Sequence, residues 1–437
     1  MKLYLFSFLP LAVLTSLTLP FHRTYFPSIN NKTPFTSFFN NFISVELCLG
    51  TPVQCLSLNL ELNVYPLWVI SSASTNKTEA QKSFNNLQSD SYYLKNTFLE
   101  KFNYDKYVTA YLSYDHITFD KTKQIKDIFF LLVEEFSEVP VNSGVLGLDF
   151  QNRIYQDTPG SNLVYQLKQK DIISSYAFSI LYDDSTSNDY LSYEKGKLIV
   201  GMYPHDIIPS LKQKKLIYEK VVQVGTTIKW GYLFKKLIID NKVIEEDIKG
   251  GFSIELGVNI GTVAYHEYVY KALFEPNKKF CTRHNFMKLF FSYICDSKID
   301  LNTFPSLTFT FSKNNYKFTF TKDDLFMNLS SDKLMFLVVF PGKDYIRVST
   351  DWTFGAPLFK KYPLVFDMDK KVVGFYEDDT NIALPNNINT ILLWMIFIAL
   401  LILIAIGGLY YYRKRSLIRR NKKNYFNLGY ENNNDKK

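Results

Sequence analysis

Two apolar stretches of the sequence each carry one glutamate, and these two residues are the best candidates for chemistry. The first stretch, LSLNLELNVYPLWVIS, covers residues 56–71 and contains Glu61, and the second, FSIELGVNIGTV, covers residues 252–263 and contains Glu255. Burying a single carboxylate in an apolar run is costly. Two carboxylates that face each other can share one proton, because the charge on the first opposes ionisation of the second. Such a pair can serve as an acid and a base.

The sequences around the two glutamates are related to each other. The segments ELNVY and ELGVN share Glu, Leu and Val at the same positions, and about half of the chain between the two apolar termini separates them. This similarity indicates an internal duplication. We therefore expect two similar lobes, each of which presents one carboxylate on a loop after a buried strand. A pseudo-twofold axis between the lobes would bring Glu61 and Glu255 face to face.

The elements that must position these loops are mostly short β-strands. Apolar and aromatic runs such as FISVELCL, LWVISS, YVTAYLSY and IFFLLVEEF alternate with turn residues. Few segments have a helical period; the clearest are residues 161–173, with Ser161 as a candidate N-cap, and residues 264–274. The chain has 437 residues and 47% hydrophobic content, enough for two domains or lobes. We predict a mostly β protein.

Other catalytic motifs are missing from the sequence. It has no Gly-x-Ser-x-Gly segment, no glycine-rich phosphate loop and no His-Glu-x-x-His, since His266 and Glu267 lack the second histidine. The five histidines do not cluster with the four cysteines, so we expect no metal site and no cofactor. Trp68 and Trp352 are expected to be core aromatics.

Both ends of the chain carry membrane-targeting features. Residues 1–20, MKLYLFSFLPLAVLTSLTLP, have one Lys before an apolar run, as in a signal peptide cut between residues 17 and 22; an uncleaved anchor is the alternative. Residues 391–412 are uncharged and long enough to cross a bilayer. Residues 413–437 contain nine Lys or Arg and two acidic residues, which marks the cytoplasmic side. The sequence thus predicts a single-pass type I membrane protein of the secretory pathway.

The net charge of the chain is concentrated in the tail. Residues 413–437 carry a charge of +7, whereas the whole chain carries +8. The rest is nearly neutral, which argues against a nucleic-acid partner, and anionic lipid accounts for the basic tail. Residues 425–428, YFNL, resemble a tyrosine-based sorting signal, although a disordered charged tail is the alternative. We expect the protein at the cell surface or in an endosomal, lysosomal or vacuolar membrane.

The cysteines and the sequons suit a lumenal domain. An even number of cysteines with two local spacings predicts the disulfides Cys48–Cys55 and Cys281–Cys295; the rival, a metal site, lacks a zinc-like spacing. Three Asn-x-Ser/Thr sequons predict glycosylation at Asn31, Asn76 and Asn328.

Several motifs resemble those of the pepsin-family aspartic peptidases, and they occur in the same order. VELCLGTPVQCLSLNLELNVYPLWV resembles the opening signature, in which a Gly-Thr-Pro-x-Gln turn and a strand lead to Asp-Thr-Gly-Ser-Ser and then Leu-Trp-Val. Glu61 stands where that family has its first catalytic Asp. SGVLGLDF, residues 143–150, resembles the strand that packs behind this loop.

The second half of the sequence continues the resemblance. FSIELGVN resembles the second Asp-Thr-Gly-Thr-Ser, with Glu255 at the Asp position, and Cys281 and Cys295 resemble the disulfide of the second lobe. AFSILY and GKLIVGMYPHDII resemble the linker strands, and DWTFGAPLFKKYPLVFDMDKKVVGFYE resembles the closing block. The resemblance implies a bilobal, mostly β fold with a central cleft, to which the sequence adds one C-terminal transmembrane helix.

The positions that carry chemistry in this family are altered. Both Asp are Glu, the following Thr are Leu62 and Leu256, and the first Gly is Asn63, whereas Gly257 keeps the second. Val64 and Val258 replace the hydroxyl residues next along. The extra methylene moves each carboxyl by roughly 1.5 Å, and Leu cannot make the cross-lobe hydrogen bonds implied for the Thr hydroxyls.

The flap that covers the cleft in this family also differs. In the family it is a glycine-rich hairpin that carries a Tyr. The corresponding segment is FNYDKYVTAYL, residues 102–112, which has no Gly and offers Tyr104 as the nearest candidate.

These features divide the chain into seven parts. They are a signal peptide (1–20), a lead-in (21–41), an N-terminal pepsin-like lobe (42–205), a C-terminal pepsin-like lobe (206–380), a juxtamembrane linker (381–390), a transmembrane helix (391–412) and a basic cytoplasmic tail (413–437).

Three functions fit this sequence. The first is a membrane-anchored pseudopeptidase that binds a peptide or protein in its cleft with weak or absent catalysis. The second is an aspartic-type endopeptidase that uses a dyad of Glu61 and Glu255. The third is a structural or adhesion ectodomain. The joint loss of both Thr, one Gly and the flap glycines favours the first.

Overall fold

The computed structural model describes fifteen ranges of residues between positions 16 and 415. The chain forms two compact units, Met1–Glu377 and Asp378–Lys437. The ranges are 16–24, 42–78, 81–99, 108–119, 123–136, 142–150, 162–183, 194–224, 227–286, 289–302, 304–311, 316–342, 351–377, 406–407 and 411–415.

Strands dominate the first unit, which confirms the mostly β prediction. The strands in the described residues are β1 (Leu17–Thr24), β2 (Phe42–Leu49), β3 (Gln54–Glu61), β4 (Leu67–Ile70), β5 (Tyr93–Leu99), β6 (Val108–Phe119), β7 (Lys123–Phe136), β8 (Gly144–Gly147), β9 (Ala177–Tyr182), β10 (Glu194–Val200), β11 (Leu216–Lys220), β12 (Val222–Val224), β13 (Thr227–Lys229), β14 (Gly231–Ile239), β15 (Lys242–Phe252), β16 (Asn259–Ile260), β17 (Cys281–Phe286), β18 (Phe290–Asp296), β19 (Leu307–Phe311), β20 (Lys317–Phe320), β21 (Phe326–Ser330), β22 (Lys333–Phe336), β23 (Val338–Pro341), β24 (Trp352–Phe354), β25 (Leu364–Asp367) and β26 (Val372–Tyr376).

Helices in the described residues are short. They are α1 (Leu163–Gln169), α2 (Pro204–Ile207), α3 (Val263–Val269), α4 (Lys322–Leu325) and α5 (Ala356–Lys361), with 3₁₀ turns at Asn86–Gln88 and Pro209–Leu211 and a π-helical turn at Tyr270–Phe274. Two of them, α1 and α3, lie where the helical period predicts a helix. The N-cap of α1 is Asn162, one residue after the predicted Ser161, because the Asn162 side chain accepts hydrogen bonds from the backbone N–H of Val164 and Tyr165.

Most strands belong to two large sheets. The first sheet has the order β11-β26-β25-β9-β10-β1-β2-β3-β8-β4-β7-β6-β5. The second has the order β20-β19-β14-β15-β24-β16-β23-β18-β22-β21, with β17 paired to β18. The final hairpin, β25 and β26, returns to the first sheet and pairs with β9 and β11. The predicted lobe boundary at residues 205 and 206 stays a prediction; β11, β25 and β26 follow it in sequence but belong to the first sheet.

The two glutamate loops have the same topological setting. β3 pairs in parallel with β8, and β4 pairs with the other side of β8, so the loop between β3 and β4 crosses the end of β8. Likewise β15 pairs in parallel with β24, and β16 pairs with the other side of β24. This repeated arrangement is what an internal duplication predicts.

A large apolar core supports both loops. It contains side chains from both large sheets, among them Leu58 and Leu146 of the first sheet and Phe252 and Phe354 of the second. Trp352 is fully buried in this core, as expected, whereas Trp68 is partly buried against a smaller cluster. Such close packing fixes the strand ends from which the loops leave.

The second unit is described at only a few positions. Residues 406–407 and 411–415 are helical. Among the residues that the structure describes, no helix is both long and apolar enough to span a membrane. The predicted transmembrane segment, residues 391–412, falls mostly outside the described residues and stays a prediction.

Candidate functional site

Glu61 is the last residue of β3 and stands at the start of the first loop. Its carbonyl oxygen accepts a hydrogen bond from the N–H of Leu148 at 2.9 Å, which ties the end of β3 to the segment after β8. Gly147 lies against the same loop, and a Cβ there would be 2.4 Å from the Val64 carbonyl oxygen. Only glycine permits this approach without a shift of backbone. The loop therefore leaves the sheet at a fixed place.

Glu255 lies in the equivalent loop between β15 and β16. The N–H of Ser253 donates to the Phe354 carbonyl at 3.0 Å, and the N–H of Ala356 donates to the Leu256 carbonyl at 2.8 Å. Gly355 packs against this loop as Gly147 does against the first, since a Cβ there would be 2.4 Å from the Leu256 carbonyl oxygen. Both glutamates are thus held by the same kind of backbone frame.

The two oxygens of the Glu255 carboxyl have different surroundings. Oε1 accepts hydrogen bonds from the Ser253 hydroxyl and, at 3.3 Å, from Nδ2 of Asn63. Oε2 is buried and makes no hydrogen bond within the described part of the chain. Burial raises the pKa of this carboxyl, and the hydrogen bonds from Ser253 and Asn63 act against that rise. Oε2 is consequently the oxygen of this carboxyl that is free to carry a proton.

Asn63 joins the first loop to the second. Its side chain reaches Oε1 of Glu255 and also the Phe252 carbonyl oxygen, at 3.4 Å, although it lies only two residues after Glu61. Its backbone φ is not positive, so this position does not need the freedom of glycine. Leu62 and Leu256 cannot make the hydrogen bonds implied for the Thr hydroxyls, and Asn63 supplies a different hydrogen bond between the two loops.

The residues at the former hydroxyl positions are apolar and mostly buried. Leu62 is fully buried and belongs to the main core, and Val258 is fully buried in a smaller cluster. Val64 is also buried, and Leu256 is partly buried. None of these side chains can donate a hydrogen bond. Both loops are therefore braced by backbone bonds and packing, together with the Asn63 amide.

Two residues that the sequence did not single out also lie at the site. Arg23, on β1, donates to the Ile254 carbonyl at 2.7 Å, although it is far from the second loop in sequence. Asp149 lies beside the first loop, where its N–H donates to the Val64 carbonyl at 3.0 Å. Burial raises the pKa of the Asp149 carboxyl to about 7, against the effects of the Phe150 N–H and the Lys229 charge. The sequence offers one sign of its role: the alternation of residues in LTLPFHRT places Arg23 on the same side as Leu17, Leu19 and Phe21, which is the buried side.

The disulfide predictions are confirmed. Cys48 and Cys55 are paired across β2 and β3, with Cα atoms 3.9 Å apart, and Cys281 and Cys295 across β17 and β18, at 4.0 Å. Glu46 lies close enough to the first pair to form a group of possible metal ligands. Both cysteines of that group are in the disulfide, so they offer no thiolate.

The remaining predicted positions are not decided. Tyr104 and Asn31 lie outside the described residues, although β5 and β6, on either side of the Tyr104 segment, pair as a hairpin. Asn76 and Asn328 are exposed, and the Asn76 amide donates to the Phe136 carbonyl at 2.9 Å. Glycosylation and the flap stay predictions.

Comparison with known proteins gives one family. Residues 43–377 match the family model described as eukaryotic aspartyl protease. The match contains both glutamate loops and both disulfides, and β1 lies before it. A search of curated proteins finds no match to the chain.

Proposed function

Since the chain belongs to the eukaryotic aspartyl protease family, we propose that it is a catalytically impaired, membrane-anchored member that binds peptides or protein segments in its cleft. The observation that carries this proposal is the environment of Glu255. Oε1 is engaged by Ser253 and Asn63, while Leu62 and Leu256 stand where the family has hydroxyls. The same kind of backbone frame holds both glutamate loops, whereas the groups that would align two carboxyls for catalysis are changed.

Geometry explains the proposed impairment. Two carboxyls that share a proton and hold one water must be closely aligned. A displacement of about 1 Å can reduce a rate by on the order of a hundredfold. Glutamate has one more freely rotating bond than aspartate, and the buried Leu62 side chain cannot brace the loop through a hydrogen bond. A site held in this way is present but poorly aligned.

Binding is expected to survive these changes. The crossing of β8 by the first loop and of β24 by the second supports the proposal that the binding cleft implied by the family is retained. Oε2 of Glu255 is buried and has no hydrogen-bond partner within the described residues, so a turn of the carboxyl towards a bound peptide would offer an acceptor or a proton. A ligand hydroxyl or amide placed there would satisfy it.

Two other functions remain candidates. The raised pKa of Glu255 favours a protonated carboxyl next to the first loop, which is what an endopeptidase using Glu61 and Glu255 would need. A structural or adhesion ectodomain would not need Oε2 of Glu255 to meet any ligand.

One experiment separates the three functions. The purified lumenal part is incubated with an unfolded protein from pH 3 to 7, with and without an inhibitor that mimics the transition state of aspartic peptidases. We expect inhibitor binding by calorimetry, weakened by Glu255→Gln, with little or no cleavage. Cleavage that the inhibitor and Glu61→Gln both abolish would establish a glutamate-based peptidase. Absence of both binding and cleavage would leave the adhesion function.

Restoring the family residues tests the cause of impairment. Glu61→Asp with Glu255→Asp returns the carboxyls to family length but leaves Leu62 and Leu256 in place. We expect at most partial activity from this pair, and more after Leu62→Thr and Leu256→Thr are added. Because Leu62 is fully buried, its change also places a hydroxyl in the core, so each variant needs a stability measurement. Full activity from the two Asp substitutions alone would contradict the argument.

The proposal includes the membrane topology that the sequence predicts. A cleaved signal peptide and a transmembrane helix at residues 391–412 would put both glutamate loops in the lumen or outside the cell. The two disulfides support an oxidising compartment. The basic tail, residues 413–437, would then lie in the cytosol.

A further inference from the structure

Strand β1 lies outside the family match but inside the first sheet. It pairs with β10 from Leu17 to Arg23 and with β2 from Phe21 to Thr24. Its side chains alternate between buried and exposed, and Arg23 has 0% of its side chain exposed. A fully buried arginine is rare unless it is paired, so its partners need explanation.

The Arg23 guanidinium is shared between the second loop and a small polar cluster. Nη2 donates to the Ile254 carbonyl at 2.7 Å, and Nη1 lies 3.3 Å from the Glu255 carbonyl. On its other side, Nη2 donates to the Tyr182 hydroxyl at 2.5 Å, and Nε lies 3.0 Å from Oε2 of Glu194. The planar fork of arginine suits this divided arrangement, and a lysine could make only part of it.

The charged and polar groups around Arg23 come from several elements. Glu194, on β10, lies directly opposite Arg23 of β1 and also forms an ion pair with Lys360 of α5. Tyr182 approaches from β9, and Asn63 and Ser253 approach the Glu255 carboxyl itself. Glu194 offsets the cost of burying the Arg23 charge, and the Tyr182 hydroxyl and the two loop carbonyls accept hydrogen bonds from its Nη atoms.

We infer that Arg23 is a positioning residue for the second loop: it holds the backbone of Ile254 and Glu255 and so fixes where the Glu255 carboxyl points. The inference deepens the function proposed above, since it concerns the same site. It also makes β1 part of the working domain, although the family match begins after this strand. The experiment measures the second loop and the Glu255 carboxyl directly, so its result does not depend on whether a peptide binds.

The test uses the full chain in detergent and three variants. Arg23→Lys keeps the charge and removes the fork. Arg23→Leu with Glu194→Leu removes the buried pair together, which avoids leaving an unpaired carboxylate, and Lys360 is exposed enough to turn to solvent. The control is Lys197→Leu with Asp183→Leu, an exposed pair in the same region of the sheet.

Two measurements are made on each variant. Hydrogen exchange of residues 253–258 reports how firmly the loop is held, and a carbon-13 titration reports the Glu255 carboxyl, with Glu255→Gln used for assignment. We expect exchange about tenfold faster in Arg23→Lys, the factor that corresponds to roughly 1.4 kcal/mol, and no change in the control. The Glu255 pKa should rise in the double leucine variant, because the Arg23 charge lowers it.

The result that overturns the inference is equally definite. If Arg23→Lys leaves the exchange of residues 253–258 unchanged, the guanidinium does not hold the loop. If the double leucine variant folds with an unaltered Glu255 titration, the cluster only stabilises the sheet. If the double leucine variant fails to fold, the exchange of residues 253–258 in Arg23→Lys decides whether the inference holds.

Discussion

At the scale of single residues, Asn63 is fitted to a glutamate at position 255. Its Nδ2 lies 3.3 Å from Oε1 of Glu255, which is already a long hydrogen bond. An aspartate would withdraw the carboxyl by about 1.5 Å, the length of one carbon–carbon bond, and the contact would be lost. Asn in place of the family's Gly at position 63 and Glu in place of its Asp at position 255 are thus physically linked.

A double-mutant cycle tests this link. Asn63→Ala should lower the free energy of unfolding by about 1 kcal/mol when residue 255 is Glu, the usual contribution of one hydrogen bond. In the Glu255→Asp background the same change should cost less, because the bond to Oε1 is already absent and only the 3.4 Å contact with the Phe252 carbonyl remains. Urea denaturation at one fixed pH gives all four values. Equal costs in the two backgrounds would show that Asn63 and Glu255 act independently.

Asp149 should make stability depend on pH near the first loop. Burial raises the pKa of its carboxyl from 3.8 to about 7 in the folded protein. The folded protein therefore binds this proton more tightly than the unfolded chain does. The stability that the protonated Asp149 gives is fully present below about pH 4 and is lost as pH rises through about 7. Asp149→Asn does not titrate, and its stability relative to the wild type should rise from pH 4 to 7 and then level off.

Denaturation at several pH values checks the Asp149 prediction. Asp183→Asn is the matched control, because it removes the same charge from a side chain that is 53% exposed. A stability difference for Asp149→Asn that stays constant from pH 4 to 8 would show that the Asp149 carboxyl is not held protonated.

At the scale of elements, the sequence predicts the two loops well and their connections poorly. ELNVY begins at the end of β3 and ELGVN follows the buried end of β15, and both loops cross a short strand as a duplication requires. Cys48 and Cys55 are near in sequence, so their spacing was sufficient to pair them. Arg23 and Ile254 are distant in sequence, and their hydrogen bond forms only when the sheet is assembled. A local sequence pattern therefore cannot predict this contact.

Strand β1 also bears on where the mature chain begins. Leu17 and Leu19 are buried in the main core, yet both fall within the predicted signal peptide, residues 1–20. A cut after residue 20 would divide β1 and remove these two contacts. We therefore expect a signal peptidase to cut no later than Ser16, so that the whole strand remains.

Two measurements address the start of the mature chain. Mass spectrometry of the protein from a eukaryotic secretory host should find an N-terminal peptide that includes Leu17. Leu19→Ala should then destabilise the protein by about 2 to 3 kcal/mol, as for other buried leucines, while Thr18→Ala, on the exposed face, should change little. Identical stability of both variants and the wild type would mean that this segment is absent from the mature protein.

At the scale of the whole molecule, the chain closes its first unit before the predicted anchor begins. β25 and β26 return to the first sheet after the second is complete, and the N–H of Glu377 donates to the Lys215 carbonyl at 2.9 Å. The sequence motif of the closing block resembles that of the family, but the motif alone does not specify which strands β25 and β26 pair with. The core and both disulfides lie within Met1–Glu377.

This closure predicts that the first unit folds without the anchor. A chain ending after residue 380 should be secreted in soluble form, with both disulfides formed, because it keeps the hydrogen bond of Glu377 and every described core side chain. The full chain should stay with membranes after alkaline carbonate extraction, and its tail should be open to protease from the cytosolic side. Two lysines placed within residues 391–412 should release it, since each costs about 3 kcal/mol at the centre of a bilayer. Extraction of the unmodified chain by carbonate, or a tail protected from cytosolic protease, would contradict the single-pass topology while leaving the folding of the first unit to be judged by the truncated chain.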